Sequence, residues 1–168
     1  SLFLGPLPMS ALAVLESLFF SAGALSITLA YRWLPRAFPG PLGRLGLLPV
    51  GVAGLWTARE AWAAVWPYGG FSWGRVALSQ SDSPFSPLFA WLGISGVSFV
   101  MVLVVAAALE AVRLGGVARV TRASVPVVLT AVLLVIPAWN VPRGDTIRVA
   151  AVQGNGKAGY FDKRERGD

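Results

Sequence analysis

Residues 64–85 read AVWPYGGFSWGRVALSQSDSPF, an island in a chain that on either side is dense in Leu, Val and Ala. The island holds five aromatic residues, three glycines and two prolines, with a string of hydroxyl and amide side chains toward its end. Gly and Pro punctuate regular structure, so the segment reads as a built turn between two apolar elements. What solvent those elements are made for decides the fold.

Working outward, residues 9–31 carry one charge, Glu16. At 1.5 Å per residue this run of about 23 residues spans roughly 30 Å, the thickness of a bilayer's hydrocarbon core. Residues 88–110 have no charge before Glu110, and residues 123–141 lie between Arg122 and Arg143 with none at all. In the latter run Pro126 and Pro137 should shorten or bend the helix. Residues 45–58 are apolar and short, suited to a buried or re-entrant segment unless the helix continues through Arg59 and Glu60 into AWAAVW, in which case it is a span reaching the interface near residue 66. The expectation is a mainly α, polytopic membrane bundle with spans at about 9–31, 45–66, 88–110 and 123–141.

Composition agrees. The 168 residues are 55% hydrophobic and 13% charged, against roughly 25% charged in an ordinary soluble domain. The net charge of +6 comes from arginines scattered between apolar runs, which suits positive loops beside a membrane and not a nucleic-acid stripe. No nucleic-acid partner is expected. Cysteine and histidine are absent, which removes disulfides, thiolate metal sites and a cysteine nucleophile from this stretch. No basic residue precedes Arg32, so the opening does not read as a signal peptide. The chain is expected to be a piece of a longer one, extended on both sides.

Basic residues in short loops favour the cytoplasmic side. Arg32, Arg36 and Arg44 flank the first connection, and Arg113, Arg119 and Arg122 the third. Both should face the cytoplasm. The aromatic island, with Arg59 and Arg75 offset by Glu60 and Asp82, should face outward, together with everything after residue 141. There the character changes: NVPRGDT supplies turn residues, and the apolar run Val149 to Val152 stops at Gln153, Gly154 and Asn155. So short a run suits a central strand covered on both faces. The division is thus 1–142, a helical membrane domain, and 143–168, the start of an extramembrane domain.

Several residues invite a chemical reading. Glu16 within a membrane run costs about 2.5–3.5 kcal/mol on insertion scales, so it should face the bundle interior, as a functional group or as a hydrogen-bond partner of a neighbouring helix. Ala22 and Ser26 have the spacing of a close helix contact. Arg59 and Glu60 point about 100° apart on a helix and each needs another partner; at the bilayer edge both are expected to snorkel to water, the alternative being a catalytic or substrate-positioning task. Trp56, Trp62, Trp66, Tyr68 and Trp73 fit an aromatic belt at headgroup depth. The belt leaves Gly69 and Gly70 unexplained. Paired glycines permit backbone angles closed to other residues and mark a specific loop presenting Phe71 and Trp73, followed by Ser79, Gln80, Ser81 and Asp82 as hydrogen-bonding groups.

In their order, Arg59-Glu60, Gly70-Phe71-Ser72-Trp73, Ser79-Gln80 with Asp82, a further span, and Val152-Gln153-Gly154-Asn155 resemble the bacterial apolipoprotein N-acyltransferases. The similarity covers about residues 56–109 and 147–155, and the first run matches in character only. The family's loop usually reads Gly-Phe-Pro-Trp, so Ser72 departs from it. The resemblance implies a multi-pass inner-membrane protein whose spans precede an extracytoplasmic α-β-β-α domain of the nitrilase type, here only its first strand. It implies an acyltransferase in which a cysteine takes a fatty acyl chain from a phospholipid as a thioester and passes it to the N-terminal amine of a diacylglyceryl-cysteine lipoprotein, with no cofactor or metal. The family's Glu, Lys and Cys (base, oxyanion stabiliser and nucleophile) lie farther along than this chain extends, so no catalytic residue is assigned. Phe71, Trp73, Gly70, Glu60, Arg59 and Tyr68 become candidates for the lipid entrance. Two other functions fit the residues less fully: a transporter or channel subunit using Glu16, and a membrane-tethered amidase, which leaves the aromatic loop without a task.

Overall fold

The computed structural model describes residues 6–114, 119–139 and 148–150. Four α-helices run through them: α1 (Leu7–Ala37), α2 (Leu48–Ala63), α3 (Phe89–Arg113) and α4 (Arg119–Val135). A π-helical turn, Gly43–Leu47, leads directly into α2. Between α2 and α3 lie three short 3-10 turns, Ser72–Gly74, Val76–Gln80 and Ser86–Leu88.

The helix ends differ from the apolar runs for a physical reason. Charge ends a stretch suited to hydrocarbon but does not end a helix, and Arg is a good helix former. So α1 continues six residues beyond Tyr31, through Arg32 and Arg36, before Phe38 N–H closes back on the Leu34 carbonyl at 2.9 Å. α2 stops at Ala63, before the Trp66-Pro67 bond and the two positive-φ glycines Gly69 and Gly70. α4 stops at Val135, two residues short of Pro137, which disfavours helical angles in the residue before it. Gly93, at φ 62°, kinks α3 near its start.

Two helical stretches, Leu7–Ala37 and Ser86–Arg113, are long and apolar enough to cross a membrane. α2 and α4, with 16 and 17 residues, fall short of the roughly 20 that a hydrocarbon core takes. Ser17, Ser21, Ser26 and Thr28 each donate to an α1 carbonyl three or four residues back, and Ser10 donates to the carbonyl of Pro6 just ahead of the helix. That arrangement gives each of these five hydroxyls a partner without water. It also changes the reading of Ala22 and Ser26: their hydroxyl–carbonyl bond stays within α1, and the close approach falls instead on Gly23, which is buried.

Neighbouring helices are antiparallel. Phe19 and Phe20 of α1 meet Trp56 and Trp62 in the second half of α2 and Trp66 just beyond its end, while Ala30, further along α1, packs with Leu48 and Val52 at the start of α2 and with Ala106 late in α3. A second cluster joins Ala77 and Leu88 of the connection to Val97 of α3 and Leu133 of α4, and Trp91 donates from Nε1 to the Pro137 carbonyl at 2.8 Å. One end of the bundle therefore gathers the 64–88 connection and residues 137–139. The opposite end gathers Arg32, Arg36, Arg44 and Arg113. The packed seams use small side chains, Ala53, Ala106 and Ala107 among them, whereas Val14, Leu18, Leu25 and Leu29 of α1 and Val105 and Leu109 of α3 point outward. Apolar outer faces of this extent belong in lipid or against further protein, not in water.

Among the described residues there is no strand. Arg148–Ala150 carry no regular element; the rest of the expected strand, from Ala151, and the Gln153-Gly154-Asn155 turn lie outside the described residues.

Candidate functional site

The connection after α2 is fastened from beneath. Glu60, in the last turn of α2, is buried, and its Oε1 accepts two hydrogen bonds: from Trp56 Nε1 at 2.8 Å, one helical turn back, and from the Val76 backbone N–H of the connection at 2.9 Å. The next amide, Ala77 N–H, donates to the fully buried Ser98 hydroxyl of α3 at 3.2 Å. Arg75 donates from Nη1 to Ser95 Oγ at 3.1 Å. Three consecutive residues are thus tied to α2 and α3. Nearer α2, Phe71 N–H donates to the Ala63 carbonyl at 2.7 Å and Gly70 N–H to the Pro67 carbonyl at 2.8 Å. Gly70 has φ +70°, and a Cβ there would collide with the Ala64 carbonyl group. Only glycine lets the chain fold back so closely.

Arg59 is buried beside Glu60, with side-chain exposures of 7% and 2%. The expectation that this pair snorkels to water fails, because α1 covers Arg59 and the connection at Val76 closes over Glu60. Arg59 fills the space over Gly23, where a Cβ would come within 2.6 Å of its Cδ. Its guanidinium lies 4.2 Å from the Phe20 ring centre and 4.7 Å from that of Trp56. The two neighbours do turn toward each other, Nη2 to Oε1, but at 3.8 Å, too long for a hydrogen bond. Glu60 Oε1 takes its hydrogen bonds elsewhere, whereas Arg59 rests on the two rings with its Nε and Nη2 buried and without a hydrogen-bond acceptor among the described residues.

Glu16 joins them. With Arg59, Glu60, Ala63, Phe71, Gly74 and Arg75 it lines a narrow recess under the connection. Two carboxylates and two guanidiniums line it, and Glu16 Oε1, Glu60 Oε2, Arg59 Nε and Nη2 and Arg75 Nε are buried there without a hydrogen-bond partner among the described residues, an arrangement that costs free energy. Of the sequence candidates, the structure brings Arg59, Glu60 and Phe71 together around this recess, while Gly70 forms the turn beside it, against Ala64. Trp73 and Tyr68 are not part of it: Trp73 is 78% exposed on the rim, and Tyr68, at φ 52°, is fully exposed. Ser79 Oγ and Gln80 make only local hydrogen bonds. Sequence reading missed Trp56 as the partner of Glu60, although the four-residue spacing on one helix signals it. It also missed Gly23, Arg75 and Ser98, whose roles depend on contacts between distant parts of the chain. The chain has no histidine or cysteine, and the arrangement is a buried polar base under an aromatic rim.

Residues 2–107 match the apolipoprotein N-acyltransferase N-terminal domain. The chain belongs to the apolipoprotein N-acyltransferase family. Among curated relatives, the apolipoprotein N-acyltransferase of Pseudomonas putida is 31% identical over 164 residues, covering 90% of this chain and 30% of the relative. That of Shewanella oneidensis is 31% identical over 159 residues, covering 89% and 28%, and that of Azotobacter vinelandii 33% identical over 165, covering 92% and 29%. The chain therefore spans somewhat under a third of the length of the N-acyltransferases it matches. No solved structure is significantly similar to it. The family match takes in α1, α2, the connection and most of α3, so the likeness extends through the first apolar run, where sequence motifs alone showed similarity of character only.

Proposed function

We propose that this chain forms the membrane-embedded portion of an enzyme that moves a fatty acyl chain from a phospholipid to the N-terminal amine of a diacylglyceryl-cysteine lipoprotein. All four helices lie in the inner membrane in this reading, and residues 143–168 begin an extracytoplasmic nitrilase-like domain. The chemistry runs through a thioester: a thiolate attacks the acyl ester carbonyl and releases the lysophospholipid, then the lipoprotein amine attacks the thioester and the thiolate leaves. The nucleophile, base and oxyanion-stabilising lysine belong to a part of the enzyme beyond this chain, which alone carries out no acyl transfer.

One observation carries the assignment of a role to this portion. The connection is pinned by Glu60 and Ser98 from below and yet holds Phe71 and Trp73 exposed on its rim. Apolar rings held rigidly at the bilayer edge suit acyl chains, each buried CH₂ contributing about 0.8 kcal/mol. Phe71 and Trp73 then border the lipid entrance, Gly70 permits the turn, and Glu60 and Arg59 support it.

The test is Trp73→Ala in the full-length enzyme, assayed with a fluorescent phospholipid donor and a diacylated lipopeptide acceptor. Loss of roughly 55 Å² of apolar contact, at about 25 cal/mol per Å², lowers turnover at limiting phospholipid about tenfold while expression and thermal stability stay unchanged. Unchanged turnover at limiting donor removes Trp73 from the entrance. Equal activity of Trp73→Phe and Trp73→Tyr with wild type reduces it to a depth anchor.

A further inference from the structure

The end of the bundle opposite the aromatic rim holds an open recess of about 370 Å³ lined by Tyr31, Arg32 and Arg36 of α1, Arg44 of the π turn, and Glu110 and Arg113 of α3. We propose that it binds a phosphate-type oxyanion, and that the source is the headgroup of an anionic phospholipid in the adjacent leaflet. This goes beyond the acyl-transfer reading, concerns the other face of the membrane, and does not rest on that reading.

Four guanidiniums converge on a recess that contains one carboxylate. That carboxylate is already committed: Glu110, buried, pairs with Arg113 Nη1 at 3.3 Å, and the Arg113 guanidinium sits 4.9 Å from the centre of the Tyr31 ring. Among the described residues Arg32, Arg36 and Arg44 have no ion pair. Arg32 and Arg36 are four apart on one helix face, a like-charge spacing that weakens a helix, and Arg36 spends a donor on the Arg32 carbonyl. Capping the negative ends of α1 and α3, each with an arginine in its last turn, accounts for one cation at each and not for the convergence of four. An oxyanion relieves the repulsion, and arginine's planar fork is the side chain suited to grip phosphate oxygens in pairs. The position favours a lipid over a free ion. Pro35 and Leu48 supply apolar wall, and the recess lies at the ends of two helices long enough to cross a membrane, where basic pockets between helices meet headgroups.

The experiment uses the whole chain in detergent micelles, with bound lipid read by native mass spectrometry. Phosphatidylglycerol is expected to be retained in preference to phosphatidylcholine of the same chains. Arg36→Gln with Arg44→Gln weakens that retention about thirtyfold, the equivalent of about 1 kcal/mol per basic residue at an anionic surface. Both side chains are exposed and outside the packed core, and helicity by circular dichroism checks folding. Should the double variant misfold, Arg36→Lys with Arg44→Lys keeps the charge but loses the paired grip, and weaker retention still supports the site. Equal retention of the two lipids, or retention indifferent to these variants, overturns the proposal. Inorganic phosphate is titrated separately. Binding as tight as that of phosphatidylglycerol keeps an oxyanion site and overturns the lipid as its source.

Discussion

Removal of the Glu60 carboxylate tests how the connection is held. In Glu60→Ala the Val76 N–H and Trp56 Nε1, bonded at 2.9 and 2.8 Å, lose a charged acceptor, and buried Arg59 loses its nearest anion. A hydrogen bond to a charged group contributes about 1.5–3 kcal/mol, so even the low end for both gives about 3 kcal/mol. Breaking a buried charge contact by deleting one partner costs a similar about 3–5 kcal/mol. Because the Val76 bond joins the connection to α2, most of this loss appears as local opening around residue 76. Arg75, next to it, is a trypsin site. When cleavage is slower than reclosing, its rate follows the open population, and about 3 kcal/mol raises that population roughly 10²-fold. Limited trypsinolysis of detergent-solubilised protein, with cleavage at Arg36 and Arg44 as internal reference, should show cutting after Arg75 accelerated by about that factor. Glu60→Gln keeps an oxygen for the two donors and loses only the charge assistance, so it should give about a tenfold rise. Cleavage after Arg75 no faster in Glu60→Ala than in wild type refutes the claim that Glu60 fastens the connection.

Gly70→Ala is expected to lower thermal stability by about 1–3 kcal/mol, through positive φ and collision with the Ala64 carbonyl group, whereas Gly69→Ala, whose Cβ meets open space, carries only the φ penalty; equal Tm values for the two contradict the crowding at Gly70. Because the chain lacks cysteine, sidedness can be read from introduced thiols: Ser81→Cys should react with an impermeant reagent applied from outside the cell and Phe38→Cys should not, and the reverse pattern overturns the orientation.

Uninterrupted apolar runs between arginine-bearing loops determined that the chain is helical and made for lipid, since lack of charge over about 20 residues is a property of composition that folding does not alter. Local chemistry also determined the tight turn: Gly69 and Gly70 mark positive φ before any coordinates do. The spacing of Trp56 and Glu60 already places them on one helix face. Tertiary structure decided the rest. That Glu60 reaches Val76, that Ser98 receives Ala77, and that Gly23 makes room for Arg59 all depend on how antiparallel helices slide into register. Helix–helix register is set by side-chain shape across an interface, and periodicity along one helix carries no record of it. Coverage by α1 over Arg59 and by the connection over Glu60 turned two expected surface charges into a buried support.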